Sequence, residues 1–341
     1  MTKLSIGISG YGVAVPRLRI KKDEYAKAWG SFQASGVSEK AVMGFDEDIL
    51  TFASKVSKRA LASVPLEPGK VTRFALASTS APYVEKVLSG TIVSSIGMPD
   101  GAFVSDHTTS SRAGTEALMA GVEHVLATPS GCALVAAADA PKASMWSPLE
   151  HGLGAGAAGF VLSHDDLVAE FEGHATYVCE HFGERFRPRD DELIRDLNVK
   201  KYAQSSFIGA TVKAARSLLE KIGTKPEDYA HVVIQQPDAR LPRAIARKLG
   251  FTDTHLASSS IAGELGDLGA ASTLVGLAAA LDAAKMGDRI LVISYGSGAA
   301  SDAMSFKIVG ERKANPGLRF EVDRKQYIDY IQYLKLKGAI K

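Results

Sequence analysis

The 341-residue chain carries one architectural plan twice, which restricts it to folds built from two superimposable halves. In the first copy a helix-period stretch, Phe52 to Leu61, breaks around Pro65 to Gly69 and enters the strand-like run Phe74-Ala75-Leu76-Ala77. In the second, Val212 to Leu219 reads as helix, breaks at Gly223-Thr224-Lys225-Pro226 and enters Val232-Val233-Ile234. Pro68 and Pro226 stand at equivalent breaks, 158 residues apart. Further on, Ser111-Arg112-Ala113-Gly114-Thr115 opens a small-residue helix through Leu126, which stops at Pro129-Ser130-Gly131 before the strand Ala133 to Ala136. Asp267-Leu268-Gly269-Ala270-Ala271-Ser272 opens its counterpart through Ala284, which stops at Gly287-Asp288 before Ile290 to Ile293. Glycine is the expected stop because it adopts the left-handed cap conformation without steric cost. Gly131 and Gly287 are 156 residues apart, and the same offset carries Ser111 onto Asp267.

Strands alternating with helices imply α/β layers with largely buried sheets. The Ala/Gly-rich helices are expected at the centre, packed on both sides between two sheets. A break near Ser163 to Val168 divides the chain into halves, 1–165 and 166–341. The N-terminus of a helix presents free N–H groups and a positive dipole end, so it holds an anion or depresses the pKa of a thiol. Two such ends facing one crevice suit acyl chemistry. Plain helix capping is the competing reading of Ser111 and Asp267, since both residue types are favoured as caps.

Charge and cysteine content narrow the field. Lys and Arg total 40 against 38 Asp and Glu, a net charge of +2, which lacks the basic stripe of a nucleic-acid binder. No uncharged apolar run approaches the ~18 residues of a membrane span. The opening Met1-Thr2-Lys3-Leu4-Ser5-Ile6 has no secretory cleavage pattern. Cys132 and Cys179 are far apart and have no nearby Cys/His cluster, which excludes a disulfide framework or a zinc site legible in sequence. A cytoplasmic, metal-free enzyme or enzyme subunit is expected.

Several motifs then carry a resemblance. Gly10-Tyr11-Gly12-Val13-Ala14-Val15-Pro16-Arg17, Asp46-Glu47-Asp48, Gly90-Thr91-Ile92-Val93 and Arg112-Ala113-Gly114-Thr115 occur in that order. Gly154-Ala155-Gly156-Ala157-Ala158, Lys225-Pro226-Glu227-Asp228-Tyr229, Arg247-Lys248-Leu249-Gly250-Phe251 and Tyr295-Gly296-Ser297-Gly298 continue it. In this order they resemble the thiolase superfamily, and within it the archaeal-type 3-hydroxy-3-methylglutaryl-CoA synthases, over almost the whole chain. The resemblance implies an α/β thiolase fold: duplicated βαβαβαββ halves in a five-layered αβαβα architecture.

It also marks a site that has changed. The family uses a cysteine nucleophile, a glutamate acid/base, a histidine near the acyl carbonyl and an ordering asparagine. By motif, those positions are Ser111, Thr79, Gln235 and Asp267 in this chain. A serine hydroxyl does not ionise usefully without an adjacent base, whereas a thiol at a helix N-terminus does. Thr79 and Gln235 hydrogen-bond but do not exchange protons near neutral pH. His107, four residues before Ser111, would lie about 13 Å away along a strand, and it reads as a packing or interface residue, as do His124 and His231. Cys132 and Cys179 read as small buried residues rather than nucleophiles. The glycine-rich run 152–159 lacks the Gly-Lys-Ser/Thr ending of a phosphate loop. Arg240 and Arg243 are candidates for CoA phosphates, and Gly296 and Ser297 for a ligand-facing turn; a solvated face is the competing reading of the arginines.

The expectation is therefore a non-catalytic, synthase-like subunit of an acyltransferase or thiolase complex, with coenzyme A or an acyl-CoA as ligand and no covalently bound cofactor. The resemblance implies a dimer formed through the strand around Ala102 to Thr108. It also implies a thiolase-fold partner with an intact cysteine and a small OB-fold, zinc-ribbon protein. Neither nucleic acid nor membrane is expected as a partner. The alternatives are an acyltransferase or CoA-thioester hydrolase using Ser111, and a CoA-binding or scaffold protein without turnover.

Overall fold

A computed structural model describes residues 5–145, 147–179, 185–196, 204–311 and 316–341. Its centre is a nine-stranded sheet. The first half supplies β1 (Gly7–Ala14), β2 (Val71–Ala77), β3 (Phe103–His107), β4 (Cys132–Asp139) and β5 (Gly156–Ser163). The second supplies β6 (Ala169–Val178), β7 (His231–Ile234), β8 (Arg289–Ile293) and β9 (Ala300–Ile308). Their order is β7-β8-β9-β6-β1-β5-β4-β2-β3.

The duplication is visible in that order. In the first half β1 and β5 pair antiparallel, β5 with β4 antiparallel, and β4 with β2 parallel. In the second, β6–β9, β9–β8 and β8–β7 repeat the pattern. The halves join where Gly7 and Ile8 of β1 meet Glu170 and Ala169 of β6. Pro68–Lys70 and Pro226–Asp228 are both single 3-10 turns before a strand, so the two prolines occupy one structural position. The second half departs from the first in one strand. Where β3 flanks β2, no described strand flanks β7, and the intervening chain forms the short helices Leu241–Leu249, Asp253–Leu256 and Ala262–Leu265.

Four helices complete the layers: α1 (Ile49–Ala62), α2 (Ala113–Ala127), α3 (Gly209–Ile222) and α4 (Ser272–Ala283). α1 covers the outer face of the first half and α3 that of the second. α2 and α4 lie between, in the largest apolar cluster, giving α-β-α-β-α across the molecule. α4 is buried on every face from Ser272 to Leu281, which explains a sequence of small and apolar residues with no polar stripe. The two central helices meet backbone to side: a Cβ on Gly114 would lie 2.4 Å from the Ala270 carbonyl. Only glycine fits there, and the contact fixes the start of α2 against the start of α4.

The C-terminal chain crosses back to the first half. Gln326–Tyr327 adds to a small sheet with Leu18–Lys21 and Glu39–Val42. The following helix, Tyr330–Leu336, brings Tyr333 onto a buried ion pair, Lys40 Nζ to Glu150 Oε1 at 2.8 Å. No helix among the described residues is long and apolar enough to cross a membrane.

Candidate functional site

The crevice forms where β2 and β4 end and α2 begins. Thr79, Ser111 and Ser297 line one cavity of about 370 Å³, together with Thr108, Thr109, Ser110, Arg185 and Arg187. Thr79 and Arg187 also line a neighbouring cavity of about 390 Å³, bordered by Lys142 and Lys337.

Ser111 does not open the helix. α2 starts at Ala113 with Arg112 at the cap, so Ser111 sits in the turn before it and caps nothing. Its hydroxyl has one hydrogen-bond partner among the described residues: Oγ donates to the Tyr295 carbonyl at 2.8 Å. The neighbouring Gly296 is required by this packing, because a Cβ there would lie 2.3 Å from Ser110 Oγ. Gly296 thus supports the wall behind Ser111, and Ser297 faces the cavity. Arg112 turns away into an ion pair with Asp302, at 2.8 and 3.0 Å.

Thr79, half-buried, donates its hydroxyl to Asp139 Oδ2 at 2.7 Å. Asp139 ends β4, is fully buried, and is saturated with donors. The Ser80 amide reaches Oδ1 at 2.9 Å and the Ala270 amide reaches Oδ2 at 2.7 Å. One carboxylate therefore locks the Ser78-Thr79-Ser80 turn to the segment leading into α4. Such a group holds structure; its lone pairs are already committed.

Gln235 and Asp267 lie behind the cavity rather than in it. Gln235 is 2% exposed; its Nε2 donates to the Gly269 carbonyl at 3.0 Å and its Oε1 accepts from Thr273 Oγ1 at 2.5 Å. Asp267, also 2% exposed, accepts the Gly269 amide at 2.9 Å, a local side-chain turn that leads into the 3-10 turn Gly269–Ala271 before α4. Its other oxygen takes Arg185 Nη1 at 2.5 Å. Its backbone pairs with the glycine run, Asp267 N to Gly152 O at 2.7 Å and Gly154 N to Asp267 O at 2.8 Å. Thr79, Gln235 and Asp267 are thus linked through the Gly269-Ala270 turn, and Ser111 stands apart from them, bonded to Tyr295.

The remaining candidates sit elsewhere. Burial depresses the His107 pKa, and His107 pairs with Ser105 rather than facing the cavity. Burial, aided by Asp165, pushes the Cys132 thiol up, away from thiolate character. Cys132 also starts β4, about 23 Å along the strand from Asp139 at its other end. Arg240 and Arg243 are exposed; Arg240 lines a separate cavity with Lys22 and Phe32, and Arg243 lines neither Ser111-side cavity. The cations of that region that share a cavity are Lys213, Arg216 and Lys248, around about 830 Å³. Lys213 bonds Tyr177 at 2.8 Å, and just past the strand's end at Val178 the Cys179 amide donates to the Ala299 carbonyl beside the Ser297-Gly298 turn.

Asp139 and Arg185 are the contributors that the sequence reading passed over. An acid closing the apolar run Ala133 to Ala138 is a signal for the first, and the Arg185-Phe186-Arg187-Pro188-Arg189 cluster is one for the second.

Comparison with known proteins places this geometry. Residues 219–308 match the family described as 3-oxoacyl-[acyl-carrier-protein] synthase III, C terminal. The hydroxymethylglutaryl-CoA synthase of Methanopyrus kandleri is 33% identical over 345 residues, covering 98% of both chains. That of Pyrococcus horikoshii is 33% identical over 338 residues, covering 97% of this chain and 96% of its own. Among solved structures, MvaS in complex with 3-hydroxy-3-methylglutaryl coenzyme A superposes with a TM-score of 0.87 at 20% identity, covering 98% of this chain and 92% of that one. An HMG-CoA synthase complexed with CoA gives 0.86 at 18% identity, covering 97% and 90%. With full-length identity of that order and the five-layered duplicated fold, the chain belongs to the hydroxymethylglutaryl-CoA synthase family of the thiolase superfamily.

Proposed function

We propose that this chain is a non-catalytic, hydroxymethylglutaryl-CoA synthase-like subunit that docks a CoA thioester without condensing it. It works beside a thiolase-fold partner that keeps its cysteine, with a small OB-fold, zinc-ribbon protein bridging them. One observation carries the reading: the hydroxyl at the nucleophile position donates to a backbone carbonyl, and no ionisable group among the described residues hydrogen-bonds to it. A neutral alcohol in that state is a poor nucleophile. Thr79 and Gln235 are both engaged in structural hydrogen bonds and offer no proton transfer. Groups that act as one catalytic unit lose most of their rate when any of them is absent.

Retained docking is supported by the cations. Lys213, Arg216 and Lys248 line a cavity large enough for a CoA diphosphate, and no acidic residue lines it among the described residues. Association is supported by β3, the free edge of the sheet, whose Phe103 is 62% exposed. Unpaired edges of this kind template pairing with another chain. Affinity purification from native cells, with CoA titrated into the product by calorimetry, tests the reading. Recovery with a cysteine-bearing thiolase-fold protein, and measurable CoA affinity, are the expected results. Recovery only as a self-associated species that turns over acyl-CoA removes it.

A further inference from the structure

We propose that the cavity of about 390 Å³ bordered by Lys337 is a covalent site for a small oxo acid, whose ketone forms an imine with the Lys337 amine and whose carboxylate is held by Arg187. This goes beyond the CoA reading and asks nothing of it. Lys337 follows the helix Tyr330–Leu336 and is half-buried, its backbone amide donating to the Tyr333 carbonyl at 3.0 Å. Its Nζ lies 5.7 Å from the centre of the Tyr333 ring and makes no hydrogen bond or ion pair among the described residues. Lys40 Nζ lies 4.8 Å from the centre of the same ring. Glu150, the acid beside them, is taken by Lys40 at 2.8 Å and by the hydroxyls of Tyr25 and Tyr333. Lys337 is thus a second amine beside a pair that is already complete. Burial first, then Lys40, lowers its pKa to about 8, with Glu150 opposing and Lys142 adding. A share of the amine is therefore neutral at ordinary pH, the state in which a desolvated lysine beside another cation attacks a carbonyl.

The other charges around this cavity are committed. Glu47 accepts the Gly44 amide at 2.9 Å, Asp48 accepts the Thr51 amide at 2.8 Å, and Glu192 pairs with Lys142 at 3.0 Å. Arg187 is exposed and forms no hydrogen bond or ion pair among the described residues. Asp191, the acid that feels its charge, is bonded to the Leu193 amide and to Arg195. One wall therefore offers two uncommitted cationic groups, a guanidinium that always keeps its charge and an amine that gives it up. The guanidinium fork matches a carboxylate, and the amine matches a carbonyl carbon. A small molecule carrying both groups is an oxo acid. In the step itself the amine nitrogen bonds the carbonyl carbon, and both amine protons leave with the carbonyl oxygen as water. No further reactant is needed, and hydrolysis reverses the step.

The test traps the imine. Full-length protein is incubated with pyruvate, or with methyl pyruvate as the uncharged control, and reduced with borohydride, which delivers hydride to the imine carbon. Intact mass counts the adducts and peptide mapping places them. One adduct at Lys337 is expected, and pyruvate is expected to label it about tenfold faster than the ester at equal concentration. Arg187→Ala is expected to erase that preference while Lys337 still reacts, and Lys337→Met to lose the adduct. Labelling at Lys337 is expected to level off as pH passes about 8, whereas labelling of exposed lysines such as Lys335 keeps climbing. Adducts spread evenly over exposed lysines, unchanged labelling in Lys337→Met, or no adduct at all overturns the covalent site. Labelling confined to Lys337 with no preference for pyruvate over its ester overturns the oxo-acid assignment.

Discussion

At residue 111 the chemistry turns on one atom. A serine oxygen does not ionise near neutral pH as an activated thiol does, and Ser111 Oγ spends its proton on the Tyr295 carbonyl. Ser111→Cys is therefore predicted to accept an acetyl group from acetyl-CoA, seen as an adduct by intact mass. It is predicted to make no carbon–carbon product, because each absent proton-transfer group withholds about 10²–10⁴ in rate. Lys337 gives a second residue-scale test. Burial, with repulsion from Lys40, pulls its pKa from 10.5 down to about 8. Below pH 8 both folded and unfolded chains hold the proton, and the fold bears the cost of a disfavoured ammonium in full. Between pH 8 and 10.5 the unfolded chain binds more protons, so this contribution to stability rises with pH. Lys337→Met is expected to raise the melting temperature at pH 7, with the gain shrinking as pH climbs through that window. A constant difference across the window would contradict it.

The elements were legible where local chemistry decides them. Pro68 and Pro226 mark twin 3-10 turns, and the strands Val71–Ala77 and His231–Ile234 follow as the apolar runs require. Gly114 reads in sequence as one small residue among many, and its reason is tertiary: the Ala270 carbonyl occupies the space of a side chain. Gly114→Val is predicted to destabilise the protein by about 2 kcal/mol or more, measured by urea denaturation, since overpacking a rigid contact has that scale. The second-half edge strand was not legible as missing, because a repeat in sequence does not state that a pairing edge is occupied. The start of α2 was read two residues early, since Ser111 resembles a cap by type yet bonds elsewhere. Asp139 and Arg185 escaped for one shared reason. Their partners, Ala270 and Asp267, are 131 and 82 residues away, and no local pattern reports such contacts. Arg240 and Arg243 show the converse, a basic helix whose periodicity gives a face but not which cavity it borders.

Taken whole, the molecule has the fold of its family over nearly the full chain. The two halves form one nine-stranded sheet around α2 and α4, and the C-terminal helix is tied to the first half through Tyr333, Glu150 and Lys40. Thr79, Gln235 and Asp267 now stitch that frame together through the Gly269-Ala270 turn. Those bonds serve the packing at the start of α4, a structural role that stands whatever chemistry the crevice has. The most direct measurement is turnover by the purified chain alone, supplied with acetyl-CoA and acetoacetyl-CoA and followed for hydroxymethylglutaryl-CoA and for mass change at Ser111. The account predicts neither product nor adduct; hydroxymethylglutaryl-CoA formed at an enzyme-like rate by the isolated chain would contradict it.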